Sequence, residues 1–281
     1  MKDFRDRVAV VTGAASGIGR ALAGRFAREG MRVVLADVEE GALGAAAREL
    51  ADGGARVLAV PTDVSRPADV EGLARKAVDA FGGVHVLCNN AGVGAGGLTW
   101  ELSLEDWQWV VNVNFWGVVH GLRAFLPIMI AQGGEGHVVN SASMAGLVAS
   151  PASGPYTATK FAVVAISETL HLELQMEASP IKVSVLCPGW VNTRIADAER
   201  NRPAALRAPG DRPRTPRDET MAGWVRGLIA GGLSPDRVAD DVLDAIRAER
   251  FWVLTHEWHE LVRNRMEGIV AGRNPAFVPF A

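Results

Sequence analysis

Short apolar segments rich in β-branched residues alternate with longer segments of helical period along the chain. The strand-like segments lie at 8–11, 32–36, 56–60, 84–88, 137–140, 182–186 and 251–254. The helix-like segments lie at 18–29, 39–51, 68–81, 104–131, 156–178 and 235–250. The strands are apolar almost throughout, which is typical of strands that helices cover on both faces. The alternation therefore predicts an α/β fold with a doubly wound, seven-stranded parallel sheet.

Neither a proline- or serine-rich linker nor an internal repeat interrupts the alternation, so residues 1–281 are predicted to form one domain. The exception to the pattern is the arginine-rich segment 194–232. Its prolines are Pro203, Pro209, Pro213 and Pro216. Proline at that density disfavours regular helix and strand, which predicts a long loop. A loop of this length is a lid or binding loop, or else a mobile segment.

The C-terminal part of the chain is predicted to add one more helix, beginning near His256, and an apolar tail at 275–281. An exposed apolar tail is unfavourable in water. The tail therefore either packs on its own domain or closes a contact between subunits.

The bulk composition is that of a globular protein, with 281 residues of which 48% are apolar. A net charge of −3 and a pI of about 6.1 argue against nucleic acid and anionic membranes as partners. Cys88 and Cys187 lie in apolar segments without metal-ligand spacing, so they are interpreted as core residues and no metal site is predicted. The charged N-terminus lacks the apolar region of a signal peptide, and no membrane span is expected, which favours a cytoplasmic location.

A glycine cluster, Thr12-Gly13-Ala14-Ala15-Ser16-Gly17-Ile18-Gly19, follows the first predicted strand and opens a helix. Glycines at such a turn let the backbone approach a pyrophosphate, which the free amides of the helix N-terminus stabilise. The spacing is G-x-x-x-G-x-G rather than G-x-G-x-x-G. A plain tight turn is the alternative, but the strand-turn-helix context favours a dinucleotide site.

Acidic residues follow the second and third predicted strands. Asp37 stands where a carboxylate would accept hydrogen bonds from the adenosine ribose, and it would repel a 2′-phosphate. Neither Ser16 nor Val38 is basic, which also favours NAD over NADP. Asp37 is equally suited to cap the next helix. Asp63 fits an adenine contact or a helix cap.

The single tyrosine of the chain, Tyr156, stands four positions before Lys160. Residues i and i+4 share a helix face, so the phenol would lie beside the ammonium. A free phenol titrates near about 10, and a neighbouring cation lowers that pKa by favouring the phenolate. The pair therefore indicates an acid or base at neutral pH, with a chance pair on an ordinary helix as the alternative.

These motifs occur together in a recognisable order over almost the whole chain. They are the glycine motif at 12–19, Asn89-Asn90-Ala91-Gly92, Asn112-Val113-Asn114-Phe115-Trp116-Gly117, Ser143, the Tyr156/Lys160 pair, and Pro188-Gly189-Trp190-Val191-Asn192-Thr193. In this combination the chain resembles the one-domain, NAD-dependent branch of the short-chain dehydrogenase/reductase family, whose sheet is of the Rossmann type. One departure is His85, where the family usually has aspartate. It is interpreted as a structural substitution.

The resemblance implies a catalytic set of Asn114, Ser143, Tyr156 and Lys160. Tyr156 would exchange the proton of the substrate hydroxyl, and Lys160 would lower its pKa and bind the nicotinamide ribose. Ser143 would hydrogen-bond the reacting oxygen, and Asn114 would hold a water leading from Lys160 to solvent. Taken singly, Asn114 also fits a helix kink, Ser143 a loop cap and Pro188-Gly189 a turn.

The implied cofactor-binding set extends along the whole carboxyl edge of the sheet. Its members are Gly13, Ser16, Gly17, Ile18, Gly19, Asp37, Asp63, Val64, Asn90, Ala91, Gly92, Tyr156, Lys160, Pro188, Gly189, Val191 and Thr193.

The predicted substrate wall is mostly apolar and suggests a bulky hydrophobic or aromatic secondary alcohol or ketone. It comprises Ser143, Met144, Leu147, Tyr156, Trp190, Ile195 and Trp224. The opening residues 1–4 and the stretch 198–203 are also similar to family members that oxidise the benzylic alcohols of lignin-derived aryl ethers.

Two other function classes remain open. An NADPH-dependent biosynthetic ketoreductase would differ in cofactor preference. A non-catalytic dinucleotide-binding scaffold would not need all four of the catalytic side chains, and all four are present. The family often forms tetramers through its two long central helices, which here correspond to 104–131 and 156–178, so a homo-oligomer, tetramer or dimer, is expected.

Overall fold

A parallel sheet of seven strands organises the computed structural model, which describes residues 1–207 and 215–276. The strands are β1 Val8–Thr12, β2 Arg32–Asp37, β3 Val57–Pro61, β4 Val86–Asn89, β5 Gly136–Ser141, β6 Ile181–Cys187 and β7 Trp252–Leu254. Their order is β3-β2-β1-β4-β5-β6-β7, and every neighbouring pair is parallel. The predicted doubly wound sheet is therefore confirmed.

Helices connect the strands and cover both faces of the sheet. They are α1 Gly17–Arg28, α2 Glu40–Asp52, α3 Pro67–Phe81, α4 Leu104–Val111, α5 Gly117–Gln132, α6 Gly154–Met176, α7 Pro216–Ala230, α8 Pro235–Ala248 and α9 His259–Val270. A π-helical segment, Asn112–Trp116, joins α4 to α5, and short 3₁₀ turns lie at Met144–Gly146, Ile195–Asn201 and Ala204–Leu206.

Two hydrophobic cores lie on opposite faces of the sheet. Strand β1 contributes to both, because successive side chains of a strand point to opposite faces. Val8 and Val10 pack in the core that α3, α5 and α6 cover, whereas Ala9 and Val11 pack in the core under α1, α2 and α8. This two-sided burial explains why the strands read as continuous apolar segments.

The chain reverses its direction of travel across the sheet at β1. Val11 pairs with Leu35 of β2 on one side and with Cys88 of β4 on the other. The connections after β1 and β4 therefore leave the carboxyl edge in opposite directions and open a crevice between them. Ligands of open α/β sheets bind in such a crevice.

The proline-rich segment contains a helix that the sequence analysis did not predict. Helix α7, Pro216–Ala230, begins at a proline, which a helix tolerates in its first turn because that N–H has no helical partner. Thr215 and Asp218 cap it reciprocally, with Thr215 N–H donating to Asp218 Oδ2 at 2.9 Å. The expectation of a loop throughout 194–232 was wrong because three of its four prolines precede this helix and the fourth, Pro216, occupies its first turn.

Part of two other predictions falls outside the described residues. Pro209 and Pro213 belong to 208–214, and most of the proposed apolar tail belongs to 277–281. The helix expected near His256 is present as α9.

The apolar stretch predicted as one helix at 104–131 is divided by the π segment into α4 and α5. Among the described residues, Leu104–Gln132 is the one helical stretch long and apolar enough to cross a membrane, by length and composition only. Trp109, Phe125 and Met129 lie buried in the protein core, which is the behaviour of an internal helix.

We expect Leu87→Ala to lower the free energy of unfolding by about 2–5 kcal/mol, because the truncation leaves a cavity in the packed centre of β4. Leu87 is 0% exposed, whereas Leu104 at the start of α4 is 83% exposed. Leu104→Ala is the matched control and should stay within about 0.5 kcal/mol of the wild type in urea denaturation. Equal losses in the two variants would contradict this placement of the core.

Candidate active site

The turn between β1 and α1 brings backbone very close to backbone. Gly13 and Gly17 adopt φ values of +66° and +54°, which L side chains rarely adopt. A Cβ on Gly19 would lie 2.1 Å from the carbonyl oxygen of Gly13, and one on Gly13 would lie 2.9 Å from the Cα of Ala91. Helix α1 begins at Gly17, so its unpaired amides face the crevice. The loop thus has the form of an anion cradle.

A hydrogen-bonded lock ties this loop to the chain that leaves β4. Thr12 Oγ1 accepts from the N–H groups of Asn90 at 2.9 Å and Ala91 at 3.0 Å. The amide of Asn90 returns a bond to the Thr12 carbonyl at 2.9 Å. The lock holds both edges of the crevice in one rigid unit.

Asp37 lies at the end of β2, beside the glycine loop. Its Oδ2 accepts from Ala15 N–H at 2.9 Å and its Oδ1 from Glu39 N–H at 3.0 Å. A carboxylate has about four lone-pair positions, so it retains capacity for hydroxyl donors. The alternative that Asp37 caps the next helix is wrong, because the N-cap residue of α2 is Glu39.

Asp63 and Val64 follow β3 on the same edge. Asp63 accepts from Ser65 N–H at 3.0 Å and Ser65 Oγ at 2.7 Å, which closes a local turn. The N-cap residue of α3 is Arg66, so Asp63 shapes the entry to the helix without capping it. Val64 is held by α5, since its carbonyl bonds His120 Nδ1 at 2.9 Å.

The segment after β6 closes the crevice from the other side. Pro188 O accepts from Met144 N–H at 2.9 Å, which joins this segment to the turn after β5. Thr193 reaches the glycine loop, where a Cβ on Gly17 would lie 3.0 Å from Thr193 Cγ2. Val191 is buried and forms an isolated β-bridge with Leu233. The long segment after Thr193 therefore ends close to where it begins.

Tyr156 and Lys160 lie one turn apart at the start of α6, as the i, i+4 spacing predicted. The Ser143 hydroxyl, from the turn after β5, accepts from Ala145 N–H at 3.1 Å and so caps that turn, and it lies close enough to the Tyr156 phenol to influence its pKa. Lys160 is buried, and its Nζ donates to the carbonyl oxygen of Ser141 at 2.7 Å. The same Nζ lies 5.5 Å from the centre of the tyrosine ring. Three elements thus converge on one phenol.

Asn114 lies in the π-helical segment and is fully buried. Its Oδ1 accepts from Val93 N–H at 2.8 Å, and its Nδ2 donates to Val93 O at 2.9 Å and to Thr159 Oγ1 at 3.3 Å. The helix-kink reading of Asn114 is therefore part of its role. Single π turns are frequent at functional sites, and this one fixes the chain after β4 against α6.

The electrostatics of the site differ from the sequence-based expectation. Burial raises the pKa of the Tyr156 phenol, and the nearby Ser143 hydroxyl opposes that rise. Burial also lowers the pKa of Lys160 to about 8. The expectation that Lys160 would lower the tyrosine pKa treated the pair as if it were in water. In the fold, loss of water disfavours both charged forms, and Ser143 is the group that favours the phenolate.

Comparison with known proteins identifies the family. The family model described as short chain dehydrogenase matches residues 7–204. The chain belongs to the short-chain dehydrogenase/reductase family.

Relatives of known name cover nearly the whole chain. A CLA biosynthesis dehydrogenase/reductase of Lactiplantibacillus plantarum is 37% identical over 98% of this chain and 97% of that protein. A C alpha-dehydrogenase of Sphingobium sp. is 33% identical over 96% of this chain and 87% of its own length. A crystal structure of a family member from Burkholderia phymatum, in complex with NAD, is 46% identical, covers 100% of both chains and superposes with a TM-score of 0.97.

The residues predicted to form the substrate wall of this family member fall into two groups. Trp190 and Trp224 meet edge to face with ring centroids 6.4 Å apart, so α7 packs onto the segment after β6. Leu147 and Ile195 are half-buried along the same side. Met144, by contrast, is 2% exposed and belongs to the hydrophobic core under the site.

Two contributors to the site escaped the sequence analysis. His256 Nδ1 accepts from Gly189 N–H at 3.2 Å and so supports the turn after β6 from the segment after β7. Gly94 faces the tyrosine ring, with a Cβ there falling 3.9 Å from Tyr156 Cδ2. No motif links His256 to Gly189, since 67 residues separate them. The glycine-rich stretch after Gly92 was the available signal for Gly94.

We expect Gly19→Ala to weaken dinucleotide binding by at least about tenfold, because the new Cβ forces Gly13 and its loop out of place. Gly24→Ala, in the same helix, is the matched control. Its Cβ would meet no atom closer than 3.7 Å, and alanine stabilises a helix interior by about 1 kcal/mol. Titration of each variant with NADH measures the difference. Equal binding by both variants would refute the role of the glycine turn.

Proposed function

We propose that this protein transfers a hydride between NAD(H) and a secondary alcohol or ketone, with Tyr156 as the general acid and base. The observation that carries the proposal is the convergence of Ser143, Tyr156 and Lys160 at the carboxyl edge of the sheet, beside the glycine turn. Groups with distinct roles in acid-base chemistry meet there at a dinucleotide-shaped crevice.

The protein's own residues perform the proton steps. In oxidation, Tyr156 takes the proton of the substrate hydroxyl as the hydride leaves the same carbon, and in reduction it returns the proton to the carbonyl oxygen. Ser143 holds the reacting oxygen and stabilises the charge that develops on it. Bound NAD supplies the hydride acceptor.

Lys160 and Asn114 support the phenol from behind. The ammonium of Lys160, held by the Ser141 carbonyl, would bind the ribose hydroxyls of the cofactor. Asn114 lies near it, since a Cβ on Gly92 would be 3.5 Å from both Asn114 Oδ1 and Lys160 Nζ. Asn114 therefore stands where a proton route from Lys160 to solvent would begin.

The residues of the crevice fit NAD better than NADP. The glycine turn has no room for a Cβ at Gly13 or Gly19, because both residues pack against neighbouring backbone. The amides at the start of α1 would stabilise a pyrophosphate there. Asp37 presents a carboxylate at the ribose position, where a 2′-phosphate would bring two negative charges together. The family member solved with NAD supports the same preference.

The substrate class is proposed to be a bulky, hydrophobic or aromatic secondary alcohol or its ketone. The Trp190–Trp224 pair and the half-buried Leu147 and Ile195 provide apolar contact area on the side of Ser143. The Sphingobium relative is named a C alpha-dehydrogenase, which agrees with dehydrogenation of a substrate by this protein. A screen of aryl and alicyclic secondary alcohols, followed by NADH absorbance, tests the substrate class.

An NADPH-dependent ketoreductase is the second candidate function, and cofactor preference separates the two. A scaffold role is less favoured, because a protein that only binds dinucleotide has no use for a buried lysine and a serine beside a phenol.

Replacing Tyr156 by Phe is expected to lower turnover by at least about 100-fold, because it removes the general acid and base. Affinity for NADH should change little. Lys160→Met should lower turnover as well and also weaken NADH binding. Lys182→Met is the matched control, since that lysine is 40% exposed at the far end of β6, and it should leave both quantities unchanged. A Tyr156→Phe protein with near-normal turnover would disprove the mechanism.

The wild-type protein is expected to show a higher kcat/KM with NAD than with NADP. Asp37→Ala should reduce the difference in kcat/KM between NAD and NADP, because it removes the negative charge that would face the 2′-phosphate. Glu40→Ala, at the exposed first residue of α2, is the control and should leave the preference for NAD intact. Equal or better kinetics of the wild type with NADP would contradict the assignment.

A further inference from the structure

The segment 194–207, which follows β6 on the proposed substrate side, is hydrogen-bonded to the opposite end of the crevice, at the end of β2. Three donors of the 3₁₀ turn Ile195–Asn201 meet a single carboxylate oxygen, Oε1 of Glu39, which lies just after β2. The distances are 3.0 Å from Arg200 Nε, 2.7 Å from Arg200 Nη2 and 3.0 Å from Asn201 Nδ2. We call these three residues the Glu39 clasp.

The clasp is built at the position proposed for the adenosine ribose. Glu39 is two residues beyond Asp37, and its backbone N–H donates to Asp37 Oδ1 at 3.0 Å. The carboxylate that binds the ribose and the carboxylate that binds the segment 194–207 therefore share one short turn. A shift of this turn would move both.

The contact is stronger than an ordinary surface ion pair. The side chains of Arg200 and Glu39 are only 24% and 22% exposed. Bonding to Arg200 holds the pKa of Glu39 below its usual range. Arg200 Nη1 also donates to the carbonyl oxygens of Arg194 at 3.0 Å and Asp197 at 2.9 Å. The guanidinium thus hydrogen-bonds to its own 3₁₀ turn and to Glu39 at the same time. A lysine ammonium lacks the planar set of donors that this arrangement uses.

The next residue anchors the same segment on the far side. Arg202 is buried, pairs with Asp106 of α4 at 2.7 Å and lies 5.2 Å from the ring centre of Trp109. At the near end, Thr193 rests against Gly17 of the glycine turn. The segment 193–202 therefore spans the crevice as a strap that touches the glycine turn, the ribose end and α4.

We propose that Arg200 is a positioning residue that couples occupation of the dinucleotide crevice to the placement of the substrate segment 194–207. The proposal rests on the proposed function, because it takes the crevice to be the NAD site. When the ribose end is filled, the turn at Asp37–Glu39 is held in the geometry that the clasp requires. By linkage, closing the clasp strengthens cofactor binding by the same factor.

The test measures cofactor affinity and segment protection separately. Arg200→Gln, Glu39→Gln and the double variant are compared with the wild type by NADH titration and by hydrogen exchange of 194–207, with and without NADH. Glu40→Gln is the matched control: it removes an adjacent, exposed carboxylate on α2 that takes no part in the clasp. The melting temperature of each variant verifies that it is folded.

We expect NADH to slow exchange in 194–207 of the wild type and of Glu40→Gln. In each single clasp variant that protection should be lost and the dissociation constant of NADH should rise on the order of 10-fold, within the usual range of coupling between sites. The double variant should be no worse than either single one, because both remove the same contact. Arg200→Lys should retain part of the NADH affinity and of the exchange protection that Arg200→Gln loses. In the clasp variants the KM for substrate should rise by a larger factor than kcat falls.

Unchanged NADH affinity and unchanged protection in the single variants would overturn the coupling. Weaker NADH binding with normal protection of 194–207 would overturn it as well, because Glu39 would then act on the cofactor alone. A wild type that binds NADH and protects the segment but turns over no alcohol would sink the proposed function and leave the coupling standing. A wild type that binds no dinucleotide would defeat both.

Discussion

The lock between Thr12 and Asn90 is the interaction on which the rest of the site depends. A parallel sheet that reverses its order at β1 opens a crevice between the segments that leave β1 and β4, and hydrogen bonds through one threonine hydroxyl and one asparagine amide span it. Because the two edges are joined, the glycine turn can approach Ala91 to within contact distance without collapsing onto it. The depth and shape of the crevice follow from this lock.

Next to the crevice, burial disfavours the charged forms of Tyr156 and Lys160, on which acid-base chemistry would depend. Removing water disfavours both the tyrosinate and the lysine ammonium, so neither group gains its function from sequence proximity alone. The nearby Ser143 hydroxyl favours the phenolate, and the Ser141 carbonyl accepts a hydrogen bond from Lys160 Nζ, so each offsets part of this cost. Both serines come from β5 and the turn that follows it. The chemistry of α6 is therefore set by a neighbouring element.

The described part of the segment after β6 forms 3₁₀ turns and the helix α7, although its proline content predicts a loop. It begins against the glycine turn, reaches Glu39 and α4 through alternate arginines, and continues after residue 215 in a capped helix whose Trp224 meets Trp190. Arginine suits this task because its planar fork serves several acceptors at once. Directed polar contacts thus add to the apolar ones that Ala198 and Leu206 make with Trp109 and its neighbours.

The sequence by itself determined the sheet, the two-sided cores, the glycine turn and the tyrosine-lysine pair, because each depends on local period or short spacing. It did not determine the helix α7, where the position of the prolines mattered more than their number. The direction of the Tyr156 pKa shift, the bond from Gly189 to His256 and the clasp at Glu39 were decided only by the tertiary structure. Burial is a property of the whole packed molecule, and the clasp joins residues 161 apart in the chain. Neither leaves a periodic trace in the sequence.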